Sequence, residues 1–195
     1  MASTYTDLGL ELMATGENAG TWGTKTNANL SLVEQLTGGH LSVSIAGGAG
    51  STDLDIDNGA LTGTAQQRVI ELTGTISGNR IVTFPVLTEN FYFIKNGTTG
   101  GHTVQLKAAT GSGATVTYST TDKGWKIIYL DGVATNTGLY QLNDNLSGLK
   151  VGTDVQAYDA GLAAIAGLAV TDGNIIVGNG STFVAENGAT ARTSL

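Results

Sequence analysis

Cysteine is absent from this 195-residue chain. Neither disulfides nor thiolate metal sites can contribute to its durability, which has to come from packing or assembly. Proline occurs once, at Pro85, which argues against a disordered proline-rich linker. Only 13% of the residues are charged, against about 25% in a typical soluble domain. The nine lysines and arginines are scattered from Lys25 to Arg192 without a cluster, and the formal net charge is −7. Such a surface repels nucleic acid. No apolar run approaches the ~20 residues that span a bilayer. The first twenty residues hold no basic residue and no continuous apolar core, so they do not read as a secretory signal. A soluble protein made in a cytosol is expected, with neither nucleic acid nor membrane as partner.

Glycine, at 29 residues, and threonine fill the space that charge leaves. Threonine favours strands and glycine allows tight turns, so the composition suits many short strands and not a helical bundle. The length allows one domain with an appendage, or two small domains.

Residues 1–23 are mostly polar, with Leu8, Leu10 and Leu12 alternating and Trp22 between Thr21 and Gly23. This spacing predicts an extended arm whose apolar side chains need a partner surface, either the chain's own body or a neighbouring protein. From Thr24 to Thr37 the pattern is helical, with Ala28, Leu32, Val33 and Leu36 on one face and Gly38-Gly39 as the stop. Short alternating runs follow at 41–45, 69–72, 81–84, 91–94, 104–107, 115–118 and 125–130. Asn96-Gly97, Gly100-Gly101, Gly111 to Gly113 and Asp131-Gly132 punctuate them. The spacing predicts an antiparallel β-sandwich-like domain over residues 40–140.

After Tyr140 the pattern changes. Thr153-Asp154 can cap a helix with Val155, Tyr158, Leu162, Ile165 and Ala169 on a heptad seam among small residues. Alone it would be marginal. Packing of symmetry-related copies would stabilise it, and docking on its own sandwich is the competing expectation. Residues 174–177 and 182–185 then flank Gly178-Asn179-Gly180-Ser181, a hairpin signal. The last residues, from Thr190, look like the start of another helix, as in a module that begins to repeat and continues in a longer chain.

The N-terminal residues Thr4-Tyr5-Thr6, Leu8 to Leu12, Thr15 to Gly23 and Thr26 to Leu30 resemble the opening of tail-fibre-like virion structural proteins of tailed bacteriophages, mainly those of marine bacteria. Tyr158 to Leu168, Asp172-Gly173-Asn174, Val177 to Gly180 and Ala189 to Leu195 are similar to the repeating module of phage fibre shafts. In that family the module commonly continues as Gly-Leu-Gly after Ser-Leu, whereas here Leu195 is the last residue.

The resemblance implies a homotrimer in the virion tail. Residues 1–39 would be a virion-anchoring arm and helix, 40–140 the β-domain, and 141–195 a trimeric shaft module of helix plus hairpin. Leu8, Leu10, Leu12 and Trp22 would dock to a tail, adaptor or baseplate protein. Val155, Tyr158, Leu162 and Ile165 would form the trimer interface. A host surface receptor would be met only through distal parts. A glycan-binding or depolymerising tailspike segment and a bacterial surface adhesin fragment are the alternatives. Aromatic residues are 6% of the chain, few for a glycan groove, and an adhesin would normally carry a secretion signal.

Catalytic chemistry is hard to assemble from these residues. Asp53, Asp55 and Asp57 before Asn58-Gly59 resemble the start of a calcium loop, but glycine falls one position late and Thr64 stands where a bidentate Glu is needed. They are a weak calcium candidate, and a solvated strand edge is the simpler expectation. His40 and His102 sit beside glycines and read as turn histidines. No nucleophile elbow is present. Glu71 with Glu89 stands as a carboxylate pair whose separation is a tertiary fact. No enzyme activity, cofactor or metal is expected.

Overall fold

A computed structural model describes residues 2–143, 159–168 and 173–194. The chain forms two compact units, Met1–Asp144 and Asn145–Leu195. It is mainly β, with three short helices among the described residues.

The first unit opens with a small antiparallel hairpin, β1 (Thr4–Tyr5) and β2 (Glu11–Leu12), followed by α1 (Trp22–Gly38). Nine strands follow: β3 (His40–Ser44), β4 (Gly50–Asp53), β5 (Val69–Thr73), β6 (Arg80–Phe84), β7 (Glu89–Asn96), β8 (Val104–Ala108), β9 (Val116–Tyr118), β10 (Trp125–Asp131) and β11 (Leu139–Gln141). They form two sheets, one ordered β11-β10-β7-β5-β3 and the other β4-β6-β8-β9.

The pairing corrects the expected antiparallel sandwich. Strands β3, β5 and β7 run parallel in one sheet, and β4, β6 and β8 run parallel in the other. From β3 to β8 the chain crosses from sheet to sheet at every step, so this part of the body is a three-turn β-coil. The body ends with an antiparallel return, β9 on β8, β10 on β7 and β11 on β10. Between the second and third turns one step of 24 residues carries Thr75 onto Thr99 and Asn79 onto Thr103. The first turn is longer, with His40 level with Val69, because the connection 54–68 between β4 and β5 is extended.

Period-two alternation assigns side chains to faces but says nothing about the neighbouring strand. Asn96-Gly97 and Gly100-Gly101 turn a corner between sheets, from β7 to β8, whereas Gly111 to Gly113 and Asp131-Gly132 join the antiparallel neighbours β8–β9 and β10–β11. At Gly100, with φ +101°, an added Cβ would lie 2.1 Å from the carbonyl oxygen of Ile76, so only glycine lets successive corners stack. Asn96 is fully buried at the same corner, where its side-chain oxygen accepts from the Thr98 amide and hydroxyl and its amide donates to the Asp122 carbonyl.

The core lies between the sheets. Ile70, Leu72, Tyr92, Ile94, Ile128 and Leu130 face Val82, Phe84, Val104, Leu106, Val116 and Tyr118. Both buried phenols are satisfied, Tyr92 donating to the Ala65 carbonyl at 2.9 Å and Tyr118 to the Ile94 carbonyl at 2.7 Å.

The second unit holds α2 (Ala160–Ala166), the antiparallel hairpin β12 (Ile175–Gly178) and β13 (Phe183–Glu186), and α3 (Gly188–Ser194). In the turn, the Asn179 side-chain oxygen accepts from the Ser181 and Thr182 amides and Gly180 takes φ +87°. The expected helix from Thr153-Asp154 through Ala169 is corrected at its centre. Asp159 has extended dihedrals and accepts from the Leu162 amide at 2.9 Å, so it is the N-cap from which α2 starts. The expected cap and Val155, Tyr158 and Ala169 lie outside the described residues.

Candidate functional site

Alternation in a two-layer β body puts one set of side chains in the core and leaves the other outward. On the four-stranded sheet the outward set is polar: Ser51 and Asp53 on β4, Thr83 on β6 beside Ile81, Gln105 and Lys107 on β8, and Thr117 on β9. The five-stranded sheet is different. Its outward positions include Phe91 and Phe93 on β7, Trp125, Ile127 and Tyr129 on β10, Tyr140 on β11 and Val69 on β5, bordered by the outward polar residues Glu89 and Lys95 on β7, Asp131 on β10, Glu71 and Thr73 on β5, and His40, Ser42 and Ser44 on β3. The register makes them one surface, with Tyr140 beside Tyr129, Tyr129 beside Phe91, Ile127 beside Phe93, and Phe93 beside Val69. Leu142 extends it, pairing its amide with the Ile127 carbonyl. Trp125 is 50% exposed, Phe91 43% and Phe93 37%. Phe91 and Phe93 meet edge to face, with centroids 6.0 Å apart.

The charged groups bordering this surface each have a partner within the chain. Lys95 Nζ lies 2.8 Å from Glu71 Oε1 and 5.8 Å from the centre of the Trp125 ring. That hydrogen bond, more than the charge of Lys95 alone, holds the Glu71 carboxyl below the ordinary range. The Tyr129 hydroxyl donates to Glu89 at 3.0 Å, which raises the phenol's pKa. Asp131 accepts the Gly138 and Val133 amides at 2.8 and 3.0 Å, and those bonds hold it low. The Arg68 guanidinium stacks 3.9 Å from the centre of the Phe91 ring and donates to Asn90 Oδ1 and the Phe91 carbonyl.

Glu71 and Glu89 share this face but stay apart. Glu71 is level with Lys95, and Glu89 lies six residues back along β7, which at ~3.3 Å per residue is roughly 20 Å. A glycosidase pair needs about 5 to 9.5 Å. The Asp53, Asp55 and Asp57 candidates likewise do not converge. Asp53 accepts from Thr83, Asp55 from the amide and hydroxyl of Thr64, and Asp57 from Thr62. Among the described residues no group of three or more His, Cys, Asp or Glu is arranged to hold a metal ion. His40 lies 4.0 Å from Glu71, and His102 precedes β8.

The N-terminal residues separate into two pairs. The β1–β2 hairpin is fixed to the body by Asn29, which exchanges hydrogen bonds with the Glu11 backbone, and by Lys25 Nζ 2.9 Å from Glu11 Oε2. Gln66 donates to the Leu8 carbonyl at 3.1 Å, and the Gly59 amide donates to the Gly9 carbonyl at 2.8 Å. Leu8 and Leu10 are therefore half-buried, while Leu12 is 54% and Trp22 66% exposed. Trp22 opens α1, two residues earlier than expected. Leu30 and Val33 on the same helix are also exposed, Val33 about 20° from Trp22 around the axis, whereas Leu32 and Leu36 are buried.

Of the expected trimer seam, Leu162 is exposed and Ile165 half-buried on α2. No side chain of this helix is fully buried. The hairpin beside it exposes Ile175, Ile176 and Phe183, and Ala191 alone is buried among the described residues of this unit.

The aromatic outer face was not expected from the sequence. Its signal is the run Phe91-Tyr92-Phe93 and the run from Trp125 to Leu130, where large apolar residues occupy both parities of a strand. No family model matches the chain, and neither does any curated protein or solved structure.

Proposed function

We propose that this chain is a structural, non-catalytic subunit of a homotrimeric bacteriophage tail fibre, attaching the fibre to the tail and forming its proximal shaft. The observation that carries this reading is that, among the described residues of the second unit, Ala191 alone is buried. Leu162, Ile175, Ile176 and Phe183 remain exposed on a short helix and a lone hairpin, two elements that are marginal in water without further packing. Burial against symmetry-related copies supplies that packing. At Gly161 an added Cβ would lie 3.1 Å from the Phe183 ring, so the small residues of α2 admit close neighbours.

At the other end, Leu12 and Trp22 give a tail, adaptor or baseplate protein an apolar surface to grip, and an exposed indole is among the strongest interface anchors. Host receptors would be met by more distal parts of the fibre, and the virion tail is the place of action. The resemblance of both terminal segments to phage fibre proteins supports the same reading.

Light scattering on the intact chain tests it. A fibre subunit has a solution mass three times 19.8 kDa, and Leu162→Asp lowers that mass by placing a carboxylate where copies meet. A stable monomer at micromolar concentration sinks the proposal.

A further inference from the structure

We propose that the apolar outer face of the five-stranded sheet is a contact surface for a second copy of this chain, so that the β-coil unit assembles through an interface of its own. The inference rests on the reading of the chain as a homo-oligomer and adds a surface to it.

A fully buried aromatic side chain removes about 150 to 250 Å² from water. Phe91, Phe93, Trp125 and Tyr140 each keep roughly two-fifths to half of their surface exposed, and Leu142 more than half. With half-buried Val69, Ile127 and Tyr129, the face holds roughly 500 Å² of uncovered apolar surface. A stable interface of standard size takes ~800 Å² from each partner. The face is thus too small to hold free copies together strongly. It is large enough for copies tethered through the C-terminal unit, which meet at roughly millimolar effective concentration.

A glycan platform needs acceptors and donors free to meet hydroxyls beside its rings. Here Glu71 is engaged by Lys95, Glu89 by Tyr129, Asp131 by two backbone amides, and Arg68 by Asn90 and the Phe91 ring. Each of these charged groups already has a partner within the chain, and the surface between them is mostly ring and aliphatic carbon, which suits a protein partner.

Charge points the same way. Copies carrying −7 each repel on approach. On this face Arg68 and Lys95 stand against Glu71, Glu89 and Asp131, an almost balanced set, so copies meet here at little electrostatic cost.

The absence of cysteine makes the test direct, because any introduced thiol is the sole one. Phe93→Cys marks the centre of the apolar face and Gln105→Cys the polar face of the other sheet. Maleimide labelling rates of the two full-length variants are compared at a concentration where light scattering reports the oligomer. The expected result is labelling of the Phe93→Cys chain about tenfold or more slower than that of the Gln105→Cys chain, because interface cores pack like protein interiors. Adding Phe91→Glu to the Phe93→Cys chain should bring the two rates together while circular dichroism still reports the sheets.

Equal rates in a confirmed oligomer overturn this inference and leave the fibre reading standing. A monomeric chain overturns both. Protection of the thiol at position 93 only after host surface polysaccharide is added also overturns the inference, since the face would then be a sugar platform.

Discussion

Each turn of the coil supplies one strand to the five-stranded sheet and one to the four-stranded sheet, and the two share a single core, yet their outer surfaces differ. On one side stand Phe91, Phe93, Trp125 and Tyr140, and on the other Ser51, Asp53, Gln105 and Lys107. The fold requires only the inward set, because that set is what the two sheets bury. Outward positions are free of this demand, and the four-stranded sheet shows that polar residues serve there. The fold does not call for the apolar residues on the opposite face, and on the proposal above they meet a second copy.

The largest expected effect comes from breaking what both faces share. Phe84 is fully buried and meets the ring of Tyr92 at 5.2 Å, bridging the two sheets. Phe84→Ala should cost about 3 to 5 kcal/mol, lowering the stability of the whole β-coil unit in urea. A loss confined to one sheet, leaving the other's amides protected from hydrogen exchange, would show that the sheets do not share a core.

A smaller effect distinguishes inside from outside by pH. Burial pushes the Tyr92 phenol up to about 12 and raises Tyr118 as well, against about 10 in an unfolded chain. The folded state favours the neutral phenol, so this stabilisation is fully present below pH ~10 and is lost as pH rises through the folded value. For Tyr92 it is on the order of 2 to 3 kcal/mol. Alkaline unfolding should accompany ionisation of these two phenols, and Tyr92→Phe should move it to higher pH. Phenolate absorbance followed beside circular dichroism checks this, and a transition that Tyr92→Phe leaves in place would assign it to other groups.

Seven of the nine strands of this body are legible as alternating runs, from Leu41 to Leu130, because core-facing side chains repeat at period two. The missed strands explain the limit. Residues 50–53 read Gly-Ser-Thr-Asp, without one large apolar residue, and are a strand only because β6 templates them. Parallel against antiparallel pairing was equally hidden, since Asn96-Gly97 and Gly100-Gly101 carry the same turn chemistry at a hairpin and at a corner. The site was legible in part. Exposed Leu12 and Trp22 stand out in sequence as large apolar residues in polar surroundings. Half-burial of Leu8 and Leu10 depends on Gln66 and Gly59, which lie far along the chain. The outer aromatic face needed the register before its rings could be seen to adjoin.

The smallest effect is expected on the polar face, and it decides how the two faces compare. Gln105 lies outward on β8, level with Ile81 on one neighbouring strand and Thr117 on the other. If this face meets only water, Gln105→Glu adds a charge that solvent screens, and stability should change by no more than ~0.5 kcal/mol, as for most surface substitutions. The mass of the particle should stay the same. The equivalent change on the apolar face, Phe91→Glu, should barely disturb the melting of a separated chain, because Phe91 is already 43% exposed, but it should weaken association. Measured together by thermal melts and light scattering, the pair separates folding from assembly. Were Gln105→Glu to lower the mass of the particle as much as Phe91→Glu does, both faces would be contacts. The polar surface would then be an interface too, and the difference between the sheets would report two kinds of partner instead of partner and water.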